Sequence, residues 1–196
     1  ADRLIGNLQK RLASKPIEEI KGYSEAALMK ERFITPLLVP LEDDTALPEL
    51  VSRGAGVRFD LDGSGSQHRW GWITPKAAWL VWDPNGSGQV TSGLQMFGSG
   101  TFWIFWTNGY EALSALDDNG DGALSGQEME GFALWHDRNS NGVSDPGEVG
   151  TVEFWGIRSL SCHYRRHPAG IVFGPKGAVF QGGTTRPTYD WIVRSR

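Results

Sequence analysis

Residues 117–128 read DDNGDGALSGQE, a stretch that leaves a folding chain little choice. Oxygen-bearing side chains stand at the first, third and fifth positions, a glycine at the sixth and a glutamate at the twelfth. This is the pattern D-x-[DN]-x-[DN]-G-x5-E without a mismatch. Carboxylates at that density repel one another unless a cation sits among them. Ca2+ is the hard cation that takes roughly six to eight oxygens. Asp117, Asn119 and Asp121 supply side-chain oxygens, and Gly122 permits the bend that follows. Ala123 offers its carbonyl, Leu124 turns an apolar side chain away from the ion, and Ser125 supplies a hydroxyl or a held water. Glu128 closes the cage with both oxygens.

A second stretch, DRNSNGVSDPGE at 137–148, fits the same template through Asp137, Asn139, Asn141, Gly142, the Val143 carbonyl, Asp145 and Glu148. Ser144 takes the eighth position, where an apolar residue is usual, and this weakens the expected strand bridge between paired loops. Two further stretches fit in part. DPNGSGQVTSGLQ offers Asp83, Asn85, Ser87 and the Gln89 carbonyl, and DLDGSGSQHRWG offers Asp60, Asp62, Ser64 and Ser66. Neither has the closing glutamate. Charge follows the loops: residues 117–148 hold eight acids against Arg138, whereas residues 151–196 hold seven bases against two acids.

The rest of the chain is read around these loops. Leu4, Ile5, Leu8 and Leu12 recur at helical spacing, and Pro16 opens a second run, so residues 1–32 are expected to be a helical arm. Pro36, Pro40 and Pro48 suggest an extended connector. The loop starts at Asp60, Asp83, Asp117 and Asp137 leave room for one helix over 127–136, with Met129, Phe132, Ala133 and His136 on one face. The segment TFWIFW alternates like a strand. Residues 157–165, 170–174, 178–181 and 189–193 read as strands of a small antiparallel meander. The expected fold is α+β. An arm and connector occupy 1–50, a calcium-loop core with short helices 51–150, and an antiparallel β meander packed on the core 151–196. AAWLVWDPNGSG and GFALWHDRNSNG are alike enough to suggest an internal duplication.

The succession FDLDGSG, WITP, LVWDPNGSGQVTSG, NGYEALSALDDNGDG and LWHDRNSNGVSDPGE resembles EF-hand-like calcium-binding segments of large exported bacterial proteins. The resemblance runs from about residue 57 to 160. It implies calcium binding and export, and no catalytic activity. Where that family usually has acids, this chain has Ser64, Ser87 and Gln95.

Other chemistries are excluded or outweighed. A single Cys forbids an internal disulfide and multi-Cys metal motifs. A net charge of −4 gives no general nucleic-acid footprint. No apolar run approaches the roughly 18 residues of a membrane span. The sequence does not open on an n-region and h-region, so any export signal is expected to have been removed or never to have existed, and an N-terminal Ala fits an end left by cleavage. Nucleophile motifs and phosphate loops are lacking, so no catalytic residue is assigned. Three methionines are too few for a sensor groove. The expected role is a non-enzymatic module outside the cytoplasm, in which Ca2+ rigidifies the fold for protein–protein assembly. The alternative is a calcium-dependent carbohydrate- or cell-surface-binding module using exposed members of the nine tryptophans.

Overall fold

The computed structural model describes residues 34–104 and 106–194, without the side chain of Trp103. The expected helical arm over 1–32 lies outside the described residues. The described residues form eleven strands: β1 Leu37–Pro40, β2 Val51–Phe59, β3 His68–Ile73, β4 Ala77–Trp82, β5 Ala123–Ser125, β6 Phe132–Trp135, β7 Val149–Thr151, β8 Ile157–Ser161, β9 Arg165–Arg166, β10 Val172–Phe180 and β11 Thr185–Asp190. Two short α-helices, α1 Leu47–Leu50 and α2 Gly109–Ser114, accompany them. The molecule is therefore mostly β, and the α+β expectation of a helical calcium core beside a separate small sheet is overturned.

Eight strands run in the order β5-β8-β10-β11-β1-β4-β6-β7, with β9 added on β10, as one antiparallel sheet curled into a half-barrel. β2 and β3 form a separate ribbon. Both faces of the central strands are covered. Leu38, Trp79, Val81, Ala133 and Trp135 point to the side that carries the ribbon, with Phe59, Trp70 and Trp72. Leu37, Val39, Ala78, Leu80, Phe132 and Leu134 point to the other, with Tyr110, Leu113 and Leu116 on and just beyond α2. A strand buried on two faces needs no polar alternation, hence the unbroken AAWLVW and FALW.

That double burial also explains where the helical pattern misleads. Residues 127–136 are not one helix. A 3-10 turn, Gly126–Met129, gives way at Gly131, whose φ is +89°, to strand β6. Trp82 faces Phe132 and Trp79 faces Trp135 in register, so Phe132 and Ala133 lie on opposite faces. The helical face was a coincidence of spacing in a strand that is apolar throughout. The expected connector is likewise a central strand: β1, fully buried, pairs β11 on one side and β4 on the other, with prolines only at its ends. The described residues of TFWIFW form no strand. Thr101–Trp103 is a 3-10 turn with Phe102 at φ 58°, its ring edge-on to Trp82 and Phe97. The C-terminal strands do form, but the expected strands 170–174 and 178–181 merge into one, β10, whose register shifts between Gly174 and Ala178, and β11 joins it to the main sheet.

At the end of β11, Asp190 is completely buried, with the Gly109 N–H 3.3 Å from its Oδ1. Burial pushes its carboxyl up to about 8, which the Thr35 side chain and then the Gly109 N–H oppose only in part. Between about pH 4 and pH 8 the folded chain holds a proton that the unfolded chain has released. This contribution is thus fully present below pH 4 and lost as pH rises to 8. Urea midpoints at saturating calcium should show Asp190→Asn gaining on the wild type across that window. Parallel curves would refute the assignment.

Candidate metal centre

All four loops share one backbone frame. Their fourth residues, Gly63, Gly86, Gly120 and Ser140, have φ of 69°, 60°, 73° and 54°. Their sixth residues, Gly65, Gly88, Gly122 and Gly142, have φ of 79°, 67°, 85° and 75°. This left-handed geometry turns the amides inward. The sixth-position N–H donates to the first carboxylate in every loop: Gly65 to Asp60 at 3.1 Å, Gly88 to Asp83 at 2.8 Å, Gly122 to Asp117 at 2.9 Å, and Gly142 to Asp137 at 2.8 Å. The fifth-position N–H reaches the third residue in three of them, at Asp62, Asn119 and Asn139. The seventh-position N–H reaches the fifth residue in all four, at Ser64, Ser87, Asp121 and Asn141.

The two glutamates close their loops through the same two positions, and Glu128 Oε1 also accepts the Asn119 N–H at 3.3 Å. Glu128 Oε1 accepts the Asp118 N–H at 2.9 Å and Oε2 the Ser125 N–H at 3.1 Å. Glu148 Oε1 accepts the Arg138 N–H at 3.0 Å and Oε2 the Asp145 N–H at 3.2 Å. Both carboxylates are thus drawn back over the loop opening from the twelfth position. The Asp83 loop has an unexpected closure. Gln95, at the thirteenth position, accepts the Thr91 N–H through Oε1 at 2.9 Å and donates to the Gln89 carbonyl at 3.0 Å. An amide oxygen there makes one of the two backbone contacts that the glutamates make elsewhere, the one to the ninth-position N–H. The template misses it because it asks for an acid one residue earlier. The Asp60 loop runs instead into β3, with Ser66 donating to Ser64 Oγ and no closing group from its own segment.

The donor set fits Ca2+. It consists of carboxylate, amide, hydroxyl and carbonyl oxygens, with neither sulfur nor imidazole among them. Glu128, Asp137 and Glu148 are buried. Asp137 is held above the usual carboxylate range, first by burial and then by the Glu148 charge, against the pull of the Gly142, Trp72 and Asn141 hydrogen bonds. Arg138 Nε, 3.7 Å from Glu148, is largely exposed and offsets little of that charge. A bound cation would relieve it. Asp145 accepts both Asn139 and Asn141 amides at 2.9 Å and is held below its ordinary value by them. Asn85 stands exposed at the third position of its loop.

These loops follow strands or a short helix rather than long helices: β2 enters the first, β4 the second, α2 precedes the third, and β6 the fourth. Three of them meet. The Gly93 N–H donates to the Asp60 carbonyl at 2.8 Å. The Val90 N–H donates to Ser144 Oγ at 2.9 Å, so Ser144 joins the second and fourth loops through its hydroxyl. Gly142 packs on Val57 and the Arg58 carbonyl of the ribbon. The Asp117 loop has other neighbours: Leu124 pairs with Leu160, the Cys162 N–H donates to the Gly122 carbonyl, and His163 lies over Gly122.

Cys162 and the two nearby histidines do not converge. Burial raises the Cys162 thiol to about 11, while the His167 ring packs on Phe173 and Tyr189. The tryptophans whose side chains are described are buried or half-buried, filling the space between the sheet, the ribbon and the loops.

Residues 39–186 match the model of the SPM domain. The iron-regulated protein FrpA of Neisseria meningitidis serogroup C is 33% identical over 136 residues, which is 66% of this chain and 12% of that protein. The chain thus spans about one eighth of that curated relative.

Proposed function

The chain belongs to the SPM domain family, and on that premise we propose that it is a calcium-binding module of a larger extracytoplasmic protein, rigidified by Ca2+ for assembly with other protein segments. The observation that carries the reading is the repeated frame: two buried glutamates, 20 residues apart, close two oxygen-lined loops through matching hydrogen bonds. Ca2+ bound to the folded loops adds its binding free energy to stability. Asparagine at two positions of the Asp137 loop lowers ligand charge, which favours modest affinity and hence a calcium-rich compartment. The small share of FrpA that the chain matches supports a module with other protein segments as neighbours.

Calorimetric titration with CaCl2 tests this. Glu128→Gln and Glu148→Gln should each remove one binding event, or weaken it at least about tenfold, because the bidentate carboxylate becomes a neutral amide. A wild type that takes up no Ca2+ at millimolar concentration would reject the reading.

A further inference from the structure

Trp72 Nε1 donates to Asp137 Oδ2 at 2.6 Å. The two residues are 65 apart in sequence and belong to different sheets: Trp72 lies in β3 of the ribbon, and Asp137 follows β6 of the main sheet. Both are fully buried. The contact is not a general requirement of the core, because Trp79, Trp135 and Trp191 bury their Nε1 atoms without a hydrogen-bond partner. Asp137 Oδ2 also receives the Gly142 N–H at 2.8 Å, whereas Oδ1 receives only the Asn141 N–H at 3.1 Å. Two donors occupy the lone pairs of Oδ2, so Oδ1 retains the free one. In the Asp117 loop each carboxylate oxygen takes one loop amide, from Gly120 and from Gly122.

We propose that Trp72 is a positioning residue for the cation of the Asp137 loop. Its indole N–H fixes the rotation of the first-position carboxylate, presents Oδ1 to the ion, and ties the ribbon to the main sheet at that point. The inference rests on the calcium reading of this loop. Ligand-orienting partners of this kind change metal affinity by about 10–100-fold when removed. The Trp72 ring is edge-on to Phe59, Trp79 and Trp135, with centroids 5.4, 5.4 and 5.7 Å away, so loop occupancy is felt directly in the aromatic core.

The experiment is a CaCl2 titration of 15N-labelled protein followed by NMR, with the Trp72 indole signal identified by its loss in Trp72→Phe. In the wild type, that signal should move in step with the Gly142 amide. In Trp72→Phe the Gly142 midpoint should rise about 10–100-fold while Gly122, in the other loop, keeps its wild-type midpoint. Trp135→Phe removes an equally buried but unpartnered indole N–H and should leave the Gly142 midpoint unchanged. A Gly142 shift with a static indole overturns the positioning role, as does an unchanged midpoint in Trp72→Phe or an equal rise in Trp135→Phe. Should Trp72→Phe not fold, the indole signal is assigned by its nuclear Overhauser contacts to Phe59 and Asp137, and the wild-type titration decides alone. If neither Gly122 nor Gly142 moves, the calcium reading fails, and this inference with it.

Discussion

Stripping calcium with a chelator should lower the thermal midpoint by about 10–20 °C relative to protein in about 10 mM CaCl2, about a hundred times a Kd of about 10⁻⁴ M. The size follows from mass action. A site with calcium at about a hundred times its Kd stabilises the folded state by about 2.7 kcal/mol. Two such loops give about 5 kcal/mol, and for a chain of this length each kcal/mol moves the midpoint by about 2–4 °C. The competing explanation is general charge relief, since residues 117–148 carry eight acids and one base. Salt distinguishes them. Exposed charges are screened within a Debye length of about 10 Å at 0.1 M, whereas Glu128, Asp137 and Glu148 are buried and screened far less. Calcium-free protein in 0.3 M NaCl should therefore regain only a minor part of the lost midpoint. Full recovery in salt, or a melt indifferent to chelator, would mean that the cages do not hold the fold together.

Legibility from sequence divides along a physical line. The shared backbone frame of the loops could be read because their oxygen-bearing residues, glycines and closing glutamates are fixed at short spacing by the geometry of one turn. The strands around them were harder, because their pairing is distant. β1 reads as a connector between prolines, yet its neighbours are β4 and β11, the latter about 150 residues away. β6 imitates a helix because both of its faces are buried and no alternation survives. The Gln95 closure was visible only as an amide one place late, with Thr91 as the N–H it would take. No local signal marks the pairing of Trp72 with Asp137, or of Val90 with Ser144, 54 residues apart.

Alanine at the four sixth-position glycines should destabilise in a graded series, with Gly142→Ala by far the worst. All four positions have φ between 67° and 85°, so each substitution carries the left-handed penalty of about 1–2 kcal/mol. Around Gly65 and Gly88 an added Cβ meets open space, and that penalty is the whole effect expected there. At Gly122 the Cβ would come within 2.6 Å of the His163 ring, which is exposed and can swing aside. At Gly142 it would lie 2.7 Å from the Arg58 carbonyl and 2.6 Å from Val57 Cγ1. A backbone carbonyl cannot rotate away without moving β2, and overpacking of this kind adds about 1–3 kcal/mol. The total for Gly142→Ala is about 2–5 kcal/mol, against about 1–2 for Gly65→Ala and Gly88→Ala. Urea unfolding at saturating CaCl2 measures the series. The difference between Gly142 and Gly65 isolates the contact between loop and ribbon, because the backbone strain is common to both. Equal losses at the two positions would show that β2 does not press on the Asp137 loop, and the clustering of the three loops around the ribbon would fall with it.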